Sequence, residues 1–245
     1  MSLQDRYKKV REGIAAAAAK AKRDPAGITL VAITKNGSTE QIKQLIEMGQ
    51  LDLGESRVQQ LQQRYAQIDE WLARQQGKSD KKLPAPGPDG GVRWHMVGHL
   101  QRNKVKPVMA LCHAIHSVDS LRLAEEIQDE AEKTKRPMKA LLEVNVGEEN
   151  SKFGVAVGAA LHLAEQVDTM DEVQLIGLMC MAPYSADPEK ARPVFARLRE
   201  IFEEIRFRKI GGDKFRHLSM GMSGDYKVAV EEGATMVRVG TAIFG

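Results

Sequence analysis

Two cysteines in 245 residues, Cys112 and Cys180, are too few for a dense disulfide framework and do not form a regular metal spacing. Two structural thiols in a reducing compartment are expected. No apolar run approaches the ~20 residues that span a bilayer. The amino terminus, MSLQDRYKKVREG, lacks the apolar stretch of a secretory leader. A soluble, cytoplasmic protein follows as the expectation, with no membrane partner. Excess charge is scarce too: 36 Lys and Arg stand against 33 Asp and Glu, a formal net charge of +3. That balance suits small anionic ligands but, without a concentrated basic patch, gives no ground for nucleic-acid binding. Hydrophobic residues at 42% can furnish a sizeable core in one large α/β domain or two small ones.

What the sequence does have is alternation. A helix is expected from Leu3 to about Ala21, through the alanine run 15–19. Strand-like segments then recur at 28–35, 51–56, 92–98, 114–119, 138–145, 173–181, 215–223 and 235–243. The first, ITLVAITK, lacks strict polar alternation and reads as a strand covered on both faces. Helical patterns such as TEQIKQLIEMG and DSLRLAEEIQDEAEKTK separate most of them, with Asp119 or Ser120 as a cap for the second. Strands alternating with helices pair in parallel through crossovers. Eight in one chain of this length predict a closed (β/α)₈ barrel of the TIM type, with an open doubly wound sheet as the competitor. Little follows the eighth strand, so the extra N-terminal helix is expected to cover the place of a last one. Residues 77–91, GKSDKKLPAPGPDGG, read as a surface insertion in a single domain spanning 1–245.

A barrel gathers functional groups at the carboxyl ends of its strands. Lys35 ends the first strand, where it is either a solvated terminus or an amine for Schiff-base chemistry with an aldehyde. HLSMGMSGD and MVRVGTAIFG place Ser, Thr and Gly after apolar runs. Ser219, Gly240 and Thr241 are therefore candidate phosphate donors, and Ser223–Gly224–Asp225 a candidate helix start facing the phosphate. The alternative is that both loops merely need small residues to turn. An amine at one rim position and phosphate donors at another fit an aldehyde-bearing phosphate cofactor, and pyridoxal phosphate (PLP) meets both demands. His95 and His99 are four apart but lack the intervening H-E-x-x-H arrangement, so a metal is not expected. Lys152, in ENSKFG, either approaches the pocket or is a solvated loop lysine.

Taken together, LVAITK, LGESRVQQ, WHMVGHLQRNKVKPV, IHSVDS, LLEVNVGEENSKFGV, GLMCMAPYS and HLSMGMSGDYKVAVEEGATMVRVGTAIFG resemble the pyridoxal phosphate homeostasis (YggS/PROSC) family over nearly the whole chain. The resemblance implies a fold-type III PLP barrel similar to the N-terminal domain of alanine racemase. It implies Lys35 as the Schiff-base lysine, Ser219, Gly240 and Thr241 as the phosphate region, and Arg238 as neighbour of the pyridine nitrogen. The family's common ENxxQE pattern is ESRVQQ here, with Ser56 and Gln60 replacing Asn and Glu. No counterpart of the racemase's C-terminal β-domain follows Gly245, which leaves Lys35 with half of a racemase's acid/base pair. The implied function is intracellular PLP homeostasis: binding, buffering or transfer to apo PLP-dependent enzymes, without dedicated amino-acid turnover; a monomer is expected. A small PLP-dependent racemase or decarboxylase is the enzymatic alternative, and a phosphate-binding barrel without PLP the plainer one.

Overall fold

A computed structural model describes residues 1–76, 83–88, 91–147 and 153–245. Nine strands occur among them: β1 (Thr29–Ile33), β2 (Asp52–Glu55), β3 (Arg93–Met96), β4 (Ala114–Val118), β5 (Met138–Asn145), β6 (Val155–Ala156), β7 (Val173–Met179), β8 (His217–Ser219) and β9 (Met236–Val239). Every pairing is parallel. The order runs β1–β2–β3–β4–β5–β7–β8–β9, and β9 returns to β1, with Leu30 opposite Val237. This closure settles the choice between barrel and open sheet. The two residues of β6 lie outside the ring and pair only with the end of β5.

Helices α1 (Leu3–Lys20), α2 (Thr39–Glu47), α3 (Val58–Gln75), α4 (Val105–Met109), α5 (Leu121–Thr134), α6 (Val157–Asp168), α7 (Arg192–Phe207), α8 (Tyr226–Glu231) and α9 (Thr241–Phe244) surround it. Capping boxes start two of them. The Ser2 hydroxyl accepts from Asp5 N while the Asp5 carboxylate accepts from Ser2 N, and Ser38 and Gln41 do the same for α2. Ser120 occupies the cap position of α5, but its hydroxyl donates to Asp119 Oδ1 instead of capping. The N-terminal α1 packs on α8 and on α9, the short turn after β9. Arg6 seals that junction, donating to the carbonyls of Ile243 (2.7 Å) and Phe244 (3.2 Å).

Strand parity divides the interior in two. On β1, Leu30 and Ala32 join the large core between barrel and helices, while buried Val31 faces the barrel lumen. On β5, Ala140, Leu142 and Val144 belong to that outer core, so Lys139, Leu141 and Glu143 point inward. Leu141 packs there with Ile176 and Met179 in a separate apolar cluster. Gly177 permits β7 and β8 to meet, since a Cβ in its place would lie 1.8 Å from the His217 carbonyl oxygen. Of the 77–91 segment, residues 83–88 and 91 are described: Ala85 bridges to Gly91, and Gly87 N donates to Asp69 of α3.

Candidate functional site

At the carboxyl ends of the strands a cavity of about 540 Å³ opens, and Lys35, Arg238, Gly240 and Thr241 all line it. Lys35 sits in a single 3₁₀ turn, Thr34–Asn36, directly after β1, and its side chain is exposed. The backbone beneath it is anchored. Thr34 Oγ1 donates to Glu55 Oε1 at 2.5 Å, Arg64 Nε reaches the same oxygen at 2.8 Å, and Arg64 Nη2 lies 3.4 Å from the Lys35 carbonyl oxygen. Glu55 is fully buried, and burial pushes its carboxyl upward against the opposing pull of Thr34 and Arg64.

Across the mouth, Ser223 Oγ accepts from the backbone N–H groups of Gly240 and Ala242, each at 3.2 Å. A hydroxyl already sits among N–H donors where β9 turns into α9, a setting that suits a phosphate oxygen. Ser219, expected among those donors, is not in the lining. It is fully buried in the lumen, because β8 ends at Ser219 and the chain needs four more residues, through Gly221 at φ +90°, to reach the rim at Ser223. Ser219 instead holds Arg238, whose Nη1 donates to Ser219 Oγ at 2.7 Å and whose Nη2 donates to the Cys180 carbonyl at 2.8 Å. Burial pulls the Arg238 guanidinium below its ordinary value, but arginine remains cationic.

From Ser219 a polar chain crosses the barrel. His116 Nδ1 lies 2.8 Å from Ser219 Oγ, His116 Nε2 lies 2.9 Å from His95 Nδ1, and His95 Nε2 lies 3.1 Å from Asp52 Oδ1. Because β4 and β8 are not neighbours in the ring, the His116–Ser219 bond must span the lumen. Arg238 donates at one end and the Asp52 carboxylate accepts at the other. With Ser219 donating its hydroxyl proton onward, each imidazole accepts at Nδ1 and donates at Nε2. Burial, followed by the charges of His95 and Arg238, holds His116 well below the usual imidazole range, consistent with a neutral ring.

Ser56 lines the cavity, and Gly98 must stay small beside it: a Cβ there would lie 2.3 Å from the Ser56 carbonyl oxygen. Gln60 Oε1 is buried without a partner among the described residues. His99 leaves the strand end, stacks on Phe153 at 3.8 Å and pairs with Asp119 at 3.1 Å. No cluster able to hold a metal occurs among the described residues. Lys152 lies outside the described residues. Sequence reasoning passed over the roles of Thr34 and Arg64.

An exposed amine, a ring of N–H and hydroxyl donors, and a fixed guanidinium share one cavity, so the residues present fit PLP. The family described as "Alanine racemase, N-terminal domain" matches residues 3–245. A pyridoxal phosphate homeostasis protein of Aquifex aeolicus is 36% identical over 245 residues, covering 100% of this chain and 98% of the relative. A solved structure of an unknown protein from Bifidobacterium adolescentis is 34% identical with a TM-score of 0.89, covering 99% of this chain and 94% of the other. PipY of Synechococcus elongatus PCC7942, solved with PLP bound, is 30% identical with a TM-score of 0.75, covering 95% and 100%. On fold, site geometry and sequence together, the chain belongs to the pyridoxal phosphate homeostasis family of alanine racemase N-terminal-domain-like barrels.

Proposed function

We propose that this protein holds PLP in the carboxyl-end cavity through Lys35 and serves intracellular PLP homeostasis, buffering the cofactor and releasing it to apo PLP-dependent enzymes without dedicated amino-acid turnover. The observation that carries the reading is the meeting of Lys35, Arg238 and the Ser223–Gly240–Thr241 donors around one cavity. The group supplies an aldehyde that condenses reversibly with an amine. Lys35 supplies that amine from a backbone fixed by Thr34, Glu55 and Arg64. Ser223, Gly240 and Thr241 hold the phosphate, and Ser219 acts one step removed by setting Arg238. A guanidinium at a pyridine nitrogen discourages its protonation, which weakens electron withdrawal and disfavours turnover of amino acids. Lys152 tunes exchange rather than resting occupancy, and the working form is a cytoplasmic monomer.

The test is an absorption spectrum before and after borohydride reduction, followed by peptide mapping. The phosphopyridoxyl group is expected on the Lys35 peptide; a stable adduct found only on another lysine would overturn the assignment. Chiral chromatography of alanine, serine and lysine incubated with the holo-protein distinguishes the enzymatic alternative. Saturable racemisation or decarboxylation lost in Lys35→Ala would replace the carrier reading. Transfer to an apo-enzyme no faster than spontaneous release would leave buffering and remove delivery.

A further inference from the structure

The opposite end of the barrel holds a second cavity, about 490 Å³, walled by the first inward residues of the strands. Arg93 of β3, Lys139 of β5 and His217 of β8 face it, with His113 ahead of β4 and Lys214 and Arg216 ahead of β8. Its charge is one-sided: four cations, Arg93, Lys139, Lys214 and Arg216, against two carboxylates, Asp52 and Asp213. Asp52 is already engaged, accepting from Arg93 at 2.7 and 2.5 Å and from His95 at 3.1 Å. Burial pushes Asp52 upward, but these donors reverse it and hold the carboxylate far below its usual range. Among the described residues, Lys139 Nζ meets His113 Nε2 at 3.0 Å. Among the described residues, neither Lys139 nor Lys214 nor Arg216 forms an ion pair with a carboxylate.

The cations act on their neighbours. Burial and then Lys139, His95 and Arg93 bring His113 down to about 4, with Asp52 alone opposing. Burial and then Arg216, Lys139 and His95 bring His217 to about 4 as well. Burial, Arg216 and Arg93 lower Lys139. A concavity that gathers more cations than carboxylates from several strands focuses a positive potential on one compact volume. Its formal excess of two charges sets the valence of what would balance it.

We propose that this amino-terminal mouth is a binding site for a compact dianion of the phosphate or phosphomonoester class, held by Lys139, Arg216 and Arg93. Burial comes first in lowering His113 and His217, and a bound dianion opposes the cationic contribution that adds to it, so both titrations move to higher pH as it binds. The site is separate from the carboxyl-end cavity and shares with it only the polar chain through the lumen. It does not depend on the PLP reading.

Inorganic phosphate is the probe. The imidazole C2–H signals of the six histidines, assigned by His→Gln variants, are followed by NMR as phosphate is added at pH 7. Those of His113 and His217 are expected to move saturably and to titrate at higher pH than in phosphate-free buffer. His162, exposed on α6 and 3.7 Å from Glu165, is the internal reference. Calorimetry should find phosphate bound roughly tenfold more weakly in Arg216→Gln and in Lys139→Gln, each removing one charge-assisted contact. Arg216 is exposed in a loop, so its variant keeps the fold, and Ser223→Ala should leave the His113 and His217 shifts intact. Phosphate that moves neither signal, moves His162 equally, or binds both charge variants as tightly as the parent overturns the proposal. Occupation of the carboxyl-end cavity alone would give the first of these results.

Discussion

Ser219→Ala tests whether the lumen or the rim owns this hydroxyl. The side chain is fully buried and makes two bonds, accepting from Arg238 Nη1 at 2.7 Å and meeting His116 Nδ1 at 2.8 Å. Alanine leaves a buried guanidinium N–H and a buried imidazole nitrogen without partners. A hydrogen bond to a charged group contributes about 1.5–3 kcal/mol and a neutral one about 0.5–1.5, so the loss should be roughly 2–4 kcal/mol. With a urea slope of about 2–3 kcal/mol/M for a chain of this size, the midpoint should fall by roughly 1 M. Binding of PLP and of unphosphorylated pyridoxal is measured on the same variant under native conditions. Both affinities should fall by a similar factor, since Arg238 is displaced while the phosphate donors stay. A stability change under about 0.5 kcal/mol together with a loss confined to PLP would return Ser219 to the phosphate site and refute the lumen assignment.

Lys35→Ala should lose most covalent cofactor, read as loss of the borohydride-trapped adduct, while the remaining donors retain weaker association. Ser223→Ala and Thr241→Val should weaken PLP by about 0.5–3 kcal/mol and pyridoxal hardly at all; equal losses for the two ligands would remove the phosphate role. Glu143 is 2% exposed, its Oε2 has no partner among the described residues, and burial raises its carboxyl from 4.5 to about 7, with Asp119 adding and Arg238 opposing. A raised acid costs nothing below pH 4.5 and destabilises progressively as pH climbs to 7, up to about 3 kcal/mol. Glu143→Gln should therefore match the parent near pH 4.5 and exceed it above pH 7 in urea denaturation, and parallel curves would contradict the raised value.

The strands were legible because burial on both faces leaves long apolar runs, and the barrel because eight such runs alternate with helices. Lys35, Gly240 and Thr241 were legible for a related reason: once a strand's end is known, the barrel rule places its next residues at the mouth. Ser219 shows where that rule fails. FRHLSMGMS reads as one strand-like segment, so its end falls at Ser223 or Ser219 indifferently. Only the early exit at Gly221, with φ +90°, sends Ser223 to the rim and leaves Ser219 inside. Arg64 was hidden for a different cause, since its carboxylate partner lies on another element and the helix pattern carries no trace of it.

The lumen was the least legible part, because its contacts exist only after closure. Nothing in VRWHMVG or AIHSVD says that His95 and His116 meet, or that His116 reaches Ser219 across 103 residues of chain. Inward parity adds a second difficulty: a single strand face must serve three depths. On β5 it reads Lys139 at one mouth, Leu141 in the apolar cluster and Glu143 toward the other mouth. Pairing lowers the cost of burying polar atoms in the lumen, and across it the pairing has one direction, from Arg238 as donor to Asp52 as acceptor. That order gives each imidazole one role at each ring nitrogen, accepting at Nδ1 and donating at Nε2. The chain therefore behaves as a unit: replacing His116 by Leu would strand both the Ser219 hydroxyl and His95 Nδ1, so the loss should be felt at Arg238 in one mouth and at Asp52 in the other.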